Sequence, residues 1–297
     1  MKTDATGGGA GAGGADGGVP VCLTIAGSDS GGGAGIQADL QTFAACGVHG
    51  VSAITCLTAQ NPAGVSGLFP TPPSFVLEQA RQTARFFALG AVKTGMLLNR
   101  EIILAAAEFI AEQRAANPAL PFVLDPVMVS TSGARLLEPE AVATLRDTLF
   151  PLATLITPNL DEAAVLLGEA HIATPDAMEI AARKLAAAHG CAVLLKGGHL
   201  QTDTLTDALV FPEKNGSEKG VENRVENGAE GVLFLTASRC PATNTHGSGC
   251  TYAAAVTAFL AHGATLRVAV SAAHAYLQRG IHAPMRIAGH AFIAHRV

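Results

Sequence analysis

Beyond its first eighteen residues this chain alternates short strand-like runs with stretches of helical periodicity, and few folds accept that alternation. Residues 21–26 (VCLTIA), 51–57, 91–94, 122–125, 155–157 and 192–195 read as strands, with two more at 205–211 and 232–236. Residues 35–45, 73–87, 101–116, 139–149, 161–167, 175–189, 249–261 and 266–279 space their apolar side chains as helices do. In the first of these, Ile36, Leu40, Phe43 and Ala44 share one face. Such alternation implies a parallel sheet with helices on both sides, and continuous apolar strands fit burial on both faces. Ligands of such sheets sit beyond the carboxyl ends of the strands, so the turns that follow strands are the places to look for chemistry.

Of the 297 residues 49% are apolar and 14% charged, and the mean hydropathy is +0.34. That suffices for a large core and excludes a disordered chain. Nineteen Lys and Arg against 24 Asp and Glu give a net charge of −5 without any basic block, so no nucleic-acid partner is expected. No apolar run reaches the ~18 residues of a membrane span. The six cysteines, at 22, 46, 56, 191, 240 and 250, form no CxxC and read as reduced thiols of a cytoplasmic protein.

Residues 1–18 are almost entirely Gly and Ala, with neither the charged nor the apolar region of a secretory signal, and are expected to be a mobile tail. Residues 19–297 are expected to form one domain. Within it, 212–231 (PEKNGSEKGVENRVENGAEG) is expected to be a long mobile hairpin loop between two strands.

Five motifs follow strands. In AGSDSGGGAG (26–35) the glycines let backbone approach a ligand, and the helix start beyond offers free N–H groups. The dinucleotide fingerprint GxGxxG does not fit, because Gly31 and Gly33 would need a third glycine at Ile36. In NTHGSGCT (244–251) Gly247, Ser248 and Gly249 would aim N–H groups into one anion hole. Cys250 would then lie in a first helical turn, where the helix dipole lowers a thiol pKa; the alternative is a small buried hydrophobe, the reading taken for the other five cysteines.

TPNLDE (157–162) brings Asn159 and Glu162 to one point, and on this motif alone helix capping accounts for them. LKGGH (195–199) places Lys196 where it suits phosphate contact or a solvated turn. VLDPVM (123–128) ends a strand on Asp125, a candidate neighbour of a metal or phosphate. No Lys follows Gly anywhere, which excludes a Walker A loop.

Taken in order, AGSDSGGGAGIQADLQTF, ITCLTAQN, VKTGM, VLDPVM, TPNLDEA, LLKGGH and NTHGSGCT resemble the hydroxymethylpyrimidine/phosphomethylpyrimidine kinases, the thiamin-biosynthesis family of the ribokinase-like superfamily. The resemblance spans about residues 21–279. It implies a three-layer α/β/α ribokinase-like fold with a mostly parallel sheet. It also implies ATP-dependent phosphorylation of 4-amino-5-hydroxymethyl-2-methylpyrimidine, and of its monophosphate to the diphosphate, with Mg2+. The expected protein is a cytoplasmic homodimer with a small-molecule partner, no nucleic acid and no membrane.

Residue by residue, the resemblance places the pyrimidine pocket on Gly27, Asp39, Gln60, Met96 and Val127. The anion hole falls on Gly247, Ser248 and Gly249, with Cys250 as general base where most ribokinase-like enzymes carry Asp. Lys196, Asp125 and Asn159 fall at the nucleotide phosphates, and Glu162 with Asn159 at the metal, through water. The 212–231 insertion and residues 281–297 depart most from the family pattern, and His282, His290 and His295 there are expected on the surface. Two other readings remain: pyridoxal kinase activity on the same scaffold, and a pyrimidine-binding protein without turnover. An altered 247–250 turn would have favoured the latter, and the turn is intact.

Overall fold

A computed structural model describes residues 18–128, 136–198, 200, 202–212 and 231–296. The segments expected as tail and long loop, 1–18 and 212–231, lie outside these residues except at Gly18, Pro212 and Gly231. In chain order the elements begin β1 (Val21–Asp29), α1 (Gly35–Ala45), β2 (His49–Asn61), β3 (Gly64–Pro70), α2 (Pro73–Phe86), β4 (Leu89–Thr94), α3 (Arg100–Ala116) and β5 (Phe122–Leu124). They continue with α4 (Pro139–Thr144), β6 (Leu155–Ile156), α5 (Leu160–Leu167), α6 (Pro175–His189), β7 (Ala192–Leu195), β8 (Thr204–Val210) and β9 (Leu233–Ser238). The last are α7 (Ser248–Ala261), α8 (Leu266–His282), β10 (Met285–Ile287) and β11 (His290–Phe292).

Nine strands form one sheet in the order β3-β2-β1-β4-β5-β6-β7-β8-β9. The six from β2 to β7 run parallel, while β3, β8 and β9 add antiparallel edges. Strand side chains alternate between the two faces, and the core divides accordingly. Phe122 and Leu124, Val193 and Leu195 pack with α2 to α6, whereas Val123, Ala192 and Leu194 pack with α7 and α8. Phe43 of α1 joins this second layer through Ala254 and Ala258 of α7. The expected three layers are therefore present, and the buried strands are mostly apolar because both their faces are covered. The sheet order reverses between β1 and β4, which opens a crevice at their carboxyl ends, where ligands bind in sheets of this kind.

Three features differ from expectation. Strand β1 runs on past Gly27 to Asp29, shifting its register against β2 between Ala26 and Ser28. The helix expected over 139–149 stops at Thr144 and continues as a π-helical turn over Leu145–Leu149 and a 3₁₀ turn over Phe150–Leu152, where Pro151 has no N–H to give. His295 is not on the surface: it is 9% exposed, its Nδ1 lies 3.2 Å from Thr42 Oγ1, and its carbonyl accepts from Tyr276.

The end of the chain forms the β10–β11 hairpin, turning through Ala288 (φ +49°) and Gly289 (φ +84°). Its Ala291 carbonyl accepts from the Asn244 N–H, so the hairpin braces the 244–251 segment.

Candidate active site

At the carboxyl edge of the sheet the turns after β1, β5, β6 and β7 meet the start of α7 around a cavity of about 480 Å³. Of the residues singled out from sequence, Gln60, Asp125, Val127, Asn159, Glu162, Lys196, Gly247, Ser248, Gly249 and Cys250 line it. Gly27, Asp39 and Met96 are not in the lining; all three are buried behind it.

The two glycine-rich turns interlock. Asp29 Oδ1 accepts from Gly31 N–H, and Oδ2 from the N–H groups of Gly33 and Ala34. Gly247 has φ +81°, and a Cβ there would run into the Gly33 carbonyl oxygen, so only glycine fits. Helix α7 starts directly after it with no side-chain cap. The anion hole is smaller than expected, because the Ser248 N–H donates to the Thr245 carbonyl at 3.0 Å. The Gly249 and Cys250 N–H groups keep no protein acceptor among the described residues, and they supply the free donors of the helix start.

Cys250 also departs from expectation. Burial pushes its thiol up to about 11, beyond what the Lys93 ammonium and the Gly35 N–H recover, so the protein without ligands holds a thiol and not a thiolate. The helix start alone does not offset desolvation.

Charged groups converge beside Cys250. Lys196 Nζ and Thr157 Oγ1 both donate to Asp125 Oδ1, at 2.8 and 2.9 Å. Glu162 is 4% exposed, and its Oε1 accepts from Met128 N–H and its Oε2 from Asn159 N–H. The Asn159 side chain accepts in return from Glu162 N–H, completing a capping box on α5. Capping and a place in the cavity are thus both true of this pair. Burial raises the Glu162 carboxyl, Asp125 raises it further and Lys196 opposes them.

One wall is apolar. Val127 and Leu136 form it, with Cys56 and Met96 packed behind them, and Gly27 allows Cys56 Sγ to lie against its backbone. Val127 has φ +44°, an outlier for a β-branched residue that costs ~1–3 kcal/mol and marks a strained turn over the cavity. The cavity extends across β8, β9 and α8 along Leu205, Ala237, Leu277 and Ile281, with Asp207 at its edge. Burial raises the Asp207 carboxyl to about 6.

Sequence reasoning missed Lys93. It is 0% exposed at the end of β4, with Nζ 2.7 Å from Asp39 Oδ1, while Thr24 Oγ1 donates to Asp39 Oδ2 at 2.6 Å. Burial opposes its charge, but Asp39, with Asp125 behind it, holds the proton well above the usual lysine range. The signal was there in a single lysine within an otherwise apolar strand, which requires a buried partner. Asp29 and His246 were quoted in motifs, but their contact, 2.9 Å between Nε2 and Oδ2, spans 217 positions. His199 lies outside the described residues.

The family profile described as phosphomethylpyrimidine kinase matches residues 29–294. The hydroxymethylpyrimidine/phosphomethylpyrimidine kinase of Rhizobium meliloti is 43% identical over 90% of this chain and 92% of its own. The thiamine biosynthesis bifunctional protein of Geobacter sulfurreducens is also 43% identical, over 87% of this chain, which spans about half (48%) of that longer protein. Among solved structures, an ADP complex of Bacillus subtilis pyridoxal kinase superposes with a TM-score of 0.79 at 36% identity, covering 94% of this chain and 98% of that one. Phosphomethylpyrimidine kinase from Clostridium difficile superposes with a TM-score of 0.70 at 37% identity, covering 88% and 99%. The geometry of the sheet edge and the match along nearly the whole chain agree: this chain belongs to the phosphomethylpyrimidine kinase family.

Proposed function

We propose that the chain is an ATP-dependent kinase of thiamin biosynthesis. It phosphorylates 4-amino-5-hydroxymethyl-2-methylpyrimidine and then converts the monophosphate to the diphosphate. The observation that carries this reading is the convergence, on one cavity, of an apolar wall with an amide (Gln60) and a phosphate-handling end. That end comprises the 247–250 turn, Lys196 and Asp125. The wall made by Val127 and Leu136, backed by Met96 and Cys56, suits the flat ring, and Gln60 its polar edge. Phosphoryl transfer asks mainly for positioning and charge neutralisation, which the Gly249 and Cys250 N–H groups and the Lys196 ammonium provide. Cys250 stands at the start of α7, placed to take the hydroxymethyl proton when ionised.

The nucleotide would lie along Lys196 and the apolar stretch over β8, β9 and α8, and the similarity to a pyridoxal kinase solved as an ADP complex supports a nucleotide site on this fold. The residues present also fit Mg2+. Asp125 and Glu162 are two buried carboxylates, and burial and the neighbouring Asp125 raise the Glu162 carboxyl, an effect that a bound cation relieves. Magnesium keeps several waters and takes one or two carboxylates with substrate phosphates, so Glu162 and Asn159 would hold it through water. When bound it supplies further neutralisation of phosphate charge.

Two further parts of the reading concern the whole protein. Strand β3 is an edge strand exposing Leu68 and Phe69, which favours a homodimer. All six cysteines are free thiols and no helix among the described residues is long and apolar enough to cross a membrane, which favours the cytoplasm.

The similarity to pyridoxal kinases favours a second reading, since pyridoxal also presents a hydroxymethyl group on a flat ring. Side-by-side kinetics with the two substrates, following ADP release, test the choice. A higher kcat/KM on the pyrimidine is expected, and a preference for pyridoxal would replace the first reading with the second.

A further inference from the structure

Asp29 and His246 have no part in the reaction described above, yet they meet at the cavity edge. His246 Nε2 lies 2.9 Å from Asp29 Oδ2 and 3.3 Å from the side-chain amide nitrogen of Gln60. Asp29 is 3% exposed. Burial pushes its carboxyl up, but hydrogen bonds from His246, Gly31 and Ala34 outweigh that and hold it below the usual carboxylate range.

A carboxylate only accepts hydrogen bonds. The Nε2 facing Asp29 therefore carries a hydrogen, whether the ring is neutral or doubly protonated. With that hydrogen in place Nε2 has no lone pair for the Gln60 amide, and two donors would face each other at 3.3 Å. A half-turn of the amide about its Cγ–Cδ bond removes the conflict, because the carbonyl oxygen then shares the Nε2–H with Asp29 Oδ2 as its second, longer acceptor. The NH2 group turns away from His246. Among the described residues the Gln60 side chain has no other hydrogen-bond partner, and Gln60 lines the cavity, so its two N–H donors are left for whatever binds there.

We infer that Asp29 and His246 are positioning residues that fix Gln60 as a donor toward the substrate, so the site selects a ring with an unprotonated nitrogen at that point. The inference rests on the pyrimidine kinase reading for the identity of the ring. Asp29 sets the hydrogen of His246, His246 sets the orientation of the amide, and the amide reads the ring. A ring carbon in place of that nitrogen would leave a cavity donor unpaired.

Two measurements on the full chain test this. The first compares kcat/KM for the pyrimidine with its two monodeaza analogues, each with one ring nitrogen replaced by CH. In the unaltered protein one analogue is expected to fall at least about tenfold below the parent, the consequence of an unpaired donor. His246→Leu releases the amide, and that ratio is expected to collapse to within about threefold of unity. A ratio that survives in the variant overturns the inference, even if all three substrates slow together, since uniform slowing is what mere support of the loop produces.

The second measurement needs no active variant. The imidazole 15N spectrum is expected to show His246 protonated at Nε2 and, in Asp29→Leu, where no acceptor faces the ring, to lose that preference for Nε2. An Nε2 without hydrogen in the unaltered protein overturns the inference. A protein that phosphorylates no pyrimidine refutes the functional reading instead, and the 15N spectrum still decides the orientation of the relay.

Discussion

Cys250 separates two consequences of one position. A helix start favours a thiolate, but desolvation is the larger effect here and pushes the thiol up to about 11. If the thiolate is the base, only a small fraction of the protein is competent at neutral pH. The rate should then climb about tenfold per unit between about pH 7 and 9. Cys250→Asp, already ionised in that range, should retain some activity with a nearly flat profile. A flat profile in the unaltered protein would take the base role from the thiol. Glu162 holds two roles that a variant can part. Glu162→Gln leaves one acceptor oxygen for the two N–H groups, of Asn159 and Met128, that the carboxylate serves, and should cost about 1 kcal/mol in urea unfolding. It should also raise the Mg2+ concentration for half-maximal rate; the stability loss alone, with unchanged Mg2+ dependence, would leave only the cap.

At the scale of elements, β4 and α1 are joined by a buried ion pair, Lys93 to Asp39. Removing one partner strands the other charge, so Lys93→Met should lower stability by about 3–5 kcal/mol, and adding Asp39→Leu should recover much of it. A single variant costing under about 1 kcal/mol would show that the pair is not held as described.

This pair also marks the limit of what the sequence tells. The helices 35–45 and 175–189 and the strand 192–195 were legible to the residue, because apolar period and glycine or proline boundaries coincide there. Strand β3 was not, because its exposed GVSGLFP lacks the pattern of a buried strand. The hairpin at 285–292 was missed because Ala-Gly is a weak signal for a turn needing two positive φ angles. In the site, Asp125, Asn159, Glu162 and Lys196 were found because each follows a strand, whereas Gln60, inside β2, was found through the resemblance. What was hidden were pairings across the fold, Lys93 with Asp39 and His246 with Asp29, which depend on sheet order and not on spacing along the chain.

For the molecule as a whole, the exposed edge β3 and the apolar side chains of Leu68, Phe69 and Phe75 near it bear on assembly. Light scattering should give a mass near twice 30.1 kDa, and Phe69→Asp should shift it toward the single chain. A monomer in the unaltered protein would contradict the dimer. The central claim, one cavity performing two successive phosphorylations of one pyrimidine, is tested most directly by stoichiometry. With excess ATP and a limiting amount of 4-amino-5-hydroxymethyl-2-methylpyrimidine, ADP should accumulate to about two equivalents per pyrimidine, with the diphosphate as final product. A plateau at about one equivalent would contradict the second step, and no ADP above the rate without pyrimidine would contradict the account altogether.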